Sequence, residues 1–140
     1  MTSDWLGRGL TPREKAALAA EILEAYSRAR WLLWRTDLPS TLATLRAVDA
    51  RSPSDPAEAD RTGVRLGEAV GKTLRHLPFD SRCLMRSLVL TSLLAQRGVA
   101  TSFVIAVKPE SEFIAHAWVE RGGVPLLEPA GPEFARIVEL

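Results

Sequence analysis

CLMRSLVLTSLLAQRGVATSFVIAV, residues 83–107, changes its hydrophobic period part-way along, and that change sets the fold class. From Cys83 to about Gln96 apolar residues fall on nearly every side of a helix: Leu84, Met85, Leu88, Val89, Leu90, Leu93 and Leu94. A helix of that composition belongs at the centre of a fold, covered all round. Gly98 suits the position just past its end. Residues 100–107, ATSFVIAV, are then a β-branched and aromatic run of strand length.

Downstream, EFIAHAWVE (112–120) fits a second strand, RGG a turn and VPLLE (124–128) a third. Upstream the chain is helical. Thr11, Pro12 and Glu14 form a cap, proline and capping-box signature, and Leu18, Ile22, Ala25, Ala29 and Leu32 or Leu33 follow with helical spacing. Leu38-Pro39 ends this helix, and Ser40 is placed to cap a shorter one running to about Val48. A polar stretch with two prolines, ARSPSDPAEADRTG (50–63), reads as a connector. Asp55, Pro56 and Glu58 repeat the start signature for a helix reaching about Leu77, and Pro78 breaks it before Asp80 or Ser81 caps the next. Helices first, then a strand meander on the central helix, is an α+β order. The 140 residues suit one domain, with a helical part at 10–52 and a catalytic part at 55–140.

Gly63, Gly67 and Gly71 line one face of the third helix. A helical glycine costs roughly 1 kcal/mol against alanine, so another backbone is expected against that face, through close helix packing or, failing that, a bound peptide. Trp31 and Trp34, at i and i+3, are expected in the core; an exposed patch that docks a peptide or partner is the alternative.

Composition excludes several classes. A net charge of +1 carries no nucleic-acid footprint. One cysteine excludes an internal disulfide and leaves too few thiols for a zinc finger or iron–sulfur site, so no metal and no cofactor are expected. The first residues lack the pattern of a signal peptide, and no uncharged apolar run approaches the roughly 18 residues of a membrane span. A soluble, cytoplasmic protein is expected.

The chemistry rests on Cys83. At a helix start, unpaired N–H groups and the helix dipole favour a thiolate, with Arg82 and Arg86 adding positive charge. A nucleophilic cysteine needs a base. Of the two histidines, His76 sits near a helix end, whereas His116 lies mid-strand between two alanines that leave room round an imidazole. If Arg121, Gly122 and Gly123 form a three-residue loop, Glu120 pairs with Val124 and His116 pairs directly with Glu128, whose carboxylate then reaches the ring. A two-residue loop turns Glu128 to the other face. Glu120, on the His116 face but four residues along the strand, is the rival acid. A helix-start cysteine, a strand histidine and a next-strand acid make the constellation of a thiol hydrolase or acyltransferase.

The motifs C-L-x-R-S-L-x-L, then R-G and an apolar strand, then A-H-A-W-V-E resemble the C-terminal domain of lasso peptide leader peptidases, over roughly residues 64–130. That resemblance implies a small papain-like, transglutaminase-like fold in a bacterial cytoplasmic protein. It implies Cys83 as nucleophile, His116 as base and Glu128 as the third acid, where the family usually has aspartate. Arg86 and Trp118 are candidates for tuning the thiolate or contacting substrate. The implied partners are a ribosomally made precursor peptide, a leader-recognition protein expected as a separate chain, and an ATP-dependent cyclase. Transglutaminase-like acyl transfer and a non-catalytic peptide-binding module are the competing readings.

Overall fold

The computed structural model describes residues 11–47, 56–74, 83–108, 111–131 and 134–140, with the backbone alone for 111–114. Four helices, α1 (Pro12–Arg35), α2 (Leu38–Arg46), α3 (Pro56–Leu74) and α4 (Cys83–Gln96), precede four strands. These are β1 (Ser102–Lys108), β2 (Ser111–Arg121), β3 (Val124–Pro125) and β4 (Ala135–Glu139). The sheet is antiparallel in the order β3-β2-β1-β4, so the fold is α+β as the change of period predicts.

The central helix is buried as its composition demands. Met85 and every residue from Ser87 to Leu94 are inaccessible, and α4 packs against α1, α2 and α3 as well as against β2. Gly98, at φ 73°, closes the helix end, and the Val99 N–H returns to the Leu94 carbonyl at 2.9 Å. At the same end of α4, Arg97 forks onto both carboxylate oxygens of Glu21 at 2.9 and 2.8 Å, tying α4 to α1.

Local signals hold at α1: Thr11 and Glu14 exchange both capping-box hydrogen bonds. At α2 the cap moves. Asp37, not Ser40, accepts the Ser40 N–H at 2.8 Å, and Pro39 falls in the first turn, where its missing N–H costs nothing. The Asp55, Asp80 and Ser81 cap signals, the far ends predicted for α2 and α3, Arg82 and His76 lie outside the described residues. Among those described, no helix is long and apolar enough to cross a membrane.

The sheet has two different faces. Phe103, Ala117 and Val119 point at the helices and join the main core. Val104, Ala106 and Trp118 point the other way and are covered by Leu127, Ala130 and Phe134 from the chain beyond β3. Leu127 touches both groups, so this segment wraps round the β2 edge.

Three sequence expectations are corrected. The glycine face of α3 does not serve close helix packing: a Cβ on Gly67 would lie 2.3 Å from the Leu126 carbonyl oxygen, one on Gly63 would meet only the Leu126 side chain, and Gly71 has nothing within 4 Å. The close backbone is that of the segment after β3, whose Leu126 N–H donates to the Val119 carbonyl at 2.8 Å. Trp31 and Trp34 are not core residues, being 55% and 77% exposed, because the stripe that α1 buries runs through Ile22, Ala25, Tyr26, Ala29 and Leu32. The third strand is only two residues long, and β4, not anticipated from the sequence, closes the other edge of β1.

Candidate active site

Cys83 is the first residue of α4, half-buried, where the helix start meets the sheet. Its sulfur accepts the Ala117 N–H at 3.4 Å. That N–H belongs to the backbone of β2, whereas the His116 side chain stands on the Trp118 and Ala106 face, opposite the core against which Cys83 packs. The structure therefore brings the thiol to the strand but does not hydrogen-bond it to the imidazole. The direct hydrogen bond of the imidazole goes elsewhere. His116 Nε2 lies 2.7 Å from the main-chain carbonyl oxygen of Glu128. A carbonyl only accepts, so Nε2 carries a proton in this contact, which leaves Nδ1 as the acceptor of the neutral ring.

The hairpin decides how Glu128 arrives. Arg121 pairs with Val124 and Glu120 with Pro125, leaving Gly122-Gly123 as a two-residue loop. Their φ angles of 57° and 82° are both left-handed, the conformation of a tight primed turn that twists with its strands and that glycine adopts at no steric cost. The three-residue loop, and with it the cross-strand pairing of His116 with Glu128, is overturned. With the two-residue loop the pairing stops at Pro125, Glu128 lies beyond the strand, and its observed contact with His116 is through the main-chain carbonyl. The turn is held against α3 by Arg121, which donates to Asp60 at 2.8 Å and to the Ala100 carbonyl at 3.0 Å.

Glu120 is engaged elsewhere. It is buried, and Arg136 of β4 reaches its two oxygens at 3.1 and 2.7 Å while the Trp118 Nε1–H donates to one of them at 2.8 Å. Burial alone would raise its carboxyl, but the hydrogen bonds from Arg136 and Trp118, with the Arg136 charge, outweigh it and hold the group below the usual carboxylate range. Trp118, 3% exposed, stands beside the imidazole with ring centroids 5.8 Å apart, and the Arg136 guanidinium lies 5.5 Å from its ring on the outer face. It therefore touches His116 rather than open solvent. Arg86 is half-buried one turn beyond Cys83, with its Nε out of contact with water.

In front of the sulfur lies a cleft of about 890 Å³, bordered by Cys83, Met85, Ala115 and, from α1, Arg30, Trp31 and Trp34. The i, i+3 spacing of Trp31 and Trp34 allowed a docking patch as the alternative to core packing, but nothing in the sequence placed that patch beside Cys83. The family model for the transglutaminase-like superfamily matches residues 22–139, from the first helix to the last strand. The chain belongs to the transglutaminase-like superfamily. Its enzymes are in general thiol-dependent, acting as cysteine peptidases or acyl transferases, and in this transglutaminase-like chain the helix-start cysteine and the strand histidine lie within that match. No curated protein and no solved structure gives a significant match to the chain.

Proposed function

We propose that this chain is a cysteine peptidase that removes the leader from a ribosomally made lasso precursor peptide. The observation that carries the reading is the Cys83 thiol at the start of α4, hydrogen-bonded at 3.4 Å to the Ala117 N–H of β2, the strand that carries His116. The A-H-A-W-V-E resemblance supports the substrate class.

In this reading His116, held at Nε2 by the Glu128 carbonyl, takes the Cys83 proton at Nδ1 once bound substrate brings the imidazole round to the thiol, the two having no hydrogen bond in the structure. The thiolate attacks the carbonyl carbon of the leader's last residue. The Cys83 N–H donates to the oxyanion, a contact commonly worth about 3 kcal/mol. Collapse of the tetrahedral intermediate breaks the C–N bond, and the imidazolium protonates the departing amine of the core peptide. A water deprotonated by His116 then attacks the thioester, freeing the leader carboxylate and restoring the thiol. Arg86 is proposed to support the thiolate side of the site. A separate leader-recognition chain delivers the precursor, and an ATP-dependent cyclase consumes the freed core.

The test is incubation with a candidate lasso precursor peptide, with and without a leader-recognition protein, read by mass spectrometry. Cys83→Ala and His116→Ala should each abolish leader release while preserving the circular dichroism of the wild type. Cleavage at near wild-type rate by either variant overturns the proposal. An amine-exchanged or crosslinked product in place of a free leader carboxylate shows acyl transfer instead.

A further inference from the structure

Trp31 and Trp34 are the most exposed large apolar residues on the described surface of α1, at 55% and 77%, although each exposes a ring that a monomer gains by burying. They form a patch with direction. Both border the cleft of about 890 Å³ that Cys83 also lines, and Arg30 lies on the same border. Between Glu24 and Asp37 the chain carries three arginines, Arg28, Arg30 and Arg35, and no acidic residue. Arg35 lies 5.1 Å from the Trp31 ring centre, which keeps a positive charge over an aromatic face at the rim. Apolar rings, fixed positive charge and a concave path to a thiol belong together.

We propose that this face of α1 is the substrate-holding surface of the site, and that it takes an acidic peptide segment bearing a bulky apolar side chain. The apolar side chain packs on Trp31 and Trp34, and carboxylates of the same segment face the positive rim at Arg35, beside Trp31. The peptide thereby runs toward Cys83. The inference deepens the peptidase reading by naming the chemistry of the bound segment, and it rests on that reading only for the fate of the peptide. A second copy of the chain fits less well, because it would bring the arginine-rich faces together at a cost in like-charge repulsion. A bilayer is flat, whereas this surface is a cleft with a cysteine inside it.

The full-length Cys83→Ala protein is titrated by fluorescence anisotropy with a labelled dodecapeptide of glutamates and serines carrying an adjacent leucine and phenylalanine. Two control peptides have every glutamate changed to lysine, or the apolar pair changed to serine. The acidic-apolar peptide should bind, and each control should bind about tenfold or more weakly. Trp31→Ala/Trp34→Ala should weaken binding to a similar extent with little change in melting temperature, since both rings are exposed. In the wild type, saturating peptide should slow iodoacetamide alkylation of Cys83 several-fold.

Affinity that ignores peptide charge or the two tryptophans, or alkylation unaffected by bound peptide, overturns the inference. So does binding to phosphatidylserine vesicles in place of peptide, or a dimer in sedimentation that the double variant dissociates. Failure of the peptidase reading looks different: peptide binds and protects Cys83, yet no precursor is cleaved. Conversely, precursor cleavage with an unchanged KM in Trp31→Ala/Trp34→Ala refutes the substrate-holding surface and leaves the peptidase standing.

Discussion

Substituting Gly67 by alanine should be the most damaging of the three glycine changes on α3, although alanine is the better helix former. The added Cβ would stand 2.3 Å from the Leu126 carbonyl oxygen. An ordinary carbon–oxygen contact is about 3.3 Å, so helix and segment must separate by about 1 Å. Leu126 cannot simply slide, because its N–H is bonded to the Val119 carbonyl at 2.8 Å. Overpacking of this kind costs about 1–3 kcal/mol, and a backbone obstacle puts Gly67 at the upper end. Subtracting the roughly 1 kcal/mol that alanine contributes to a helix leaves a net loss of about 2 kcal/mol. For a chain of this length that lowers the melting temperature by about 6–8 °C. Gly71→Ala meets nothing within 4 Å and should gain up to about 1 kcal/mol. Gly63→Ala, facing the end of the Leu126 side chain at 3.0 Å, should be near neutral. Thermal and urea denaturation followed by circular dichroism give the order. The displaced segment also carries the Glu128 carbonyl, so the His116 ring resonances should shift in Gly67→Ala and stay in place in Gly71→Ala. A Gly67→Ala protein that melts at or above Gly71→Ala refutes the reasoning.

Glu128→Ala should cleave precursor within a few-fold of the wild type, since the carbonyl that meets His116 remains; a loss of about a hundredfold would show that the carboxylate orients the ring. Glu120→Gln should cost about 1.5–3 kcal/mol in urea denaturation, toward the low end because Arg136 is half exposed. The same carboxyl sets a pH dependence. Its folded value is depressed, so its contribution is complete above the unfolded value of about 4.3 and is lost as the pH falls through the folded one. Wild-type stability should therefore fall more steeply than that of Glu120→Gln as the pH drops below about 5, and parallel curves would sink this assignment.

What the sequence determined by itself is what neighbouring residues settle among themselves. The capping box at Thr11 and Glu14, the all-round apolar helix beginning at Cys83, the glycine that closes it and the strand character of 100–107 depend on spacings of a few residues. Those local preferences placed the thiol at a helix start and the histidine on a strand, and the A-H-A-W-V-E motif agreed with the superfamily now established for residues 22–139. The tertiary structure decided whatever depends on a distant partner. RGG is compatible with a two- or a three-residue loop, and only the pairing of Arg121 with Val124 chose between them, which changed how Glu128 meets His116. Glu120 was a rival base-orienting acid until Arg136, sixteen residues on, arrived beside it on β4. The same holds for α1. A tryptophan pair at i and i+3 states that a helix has an aromatic face, but which face the core covers is set by where α4 packs, and α4 packs against the stripe that leaves Trp31 and Trp34 beside the cleft.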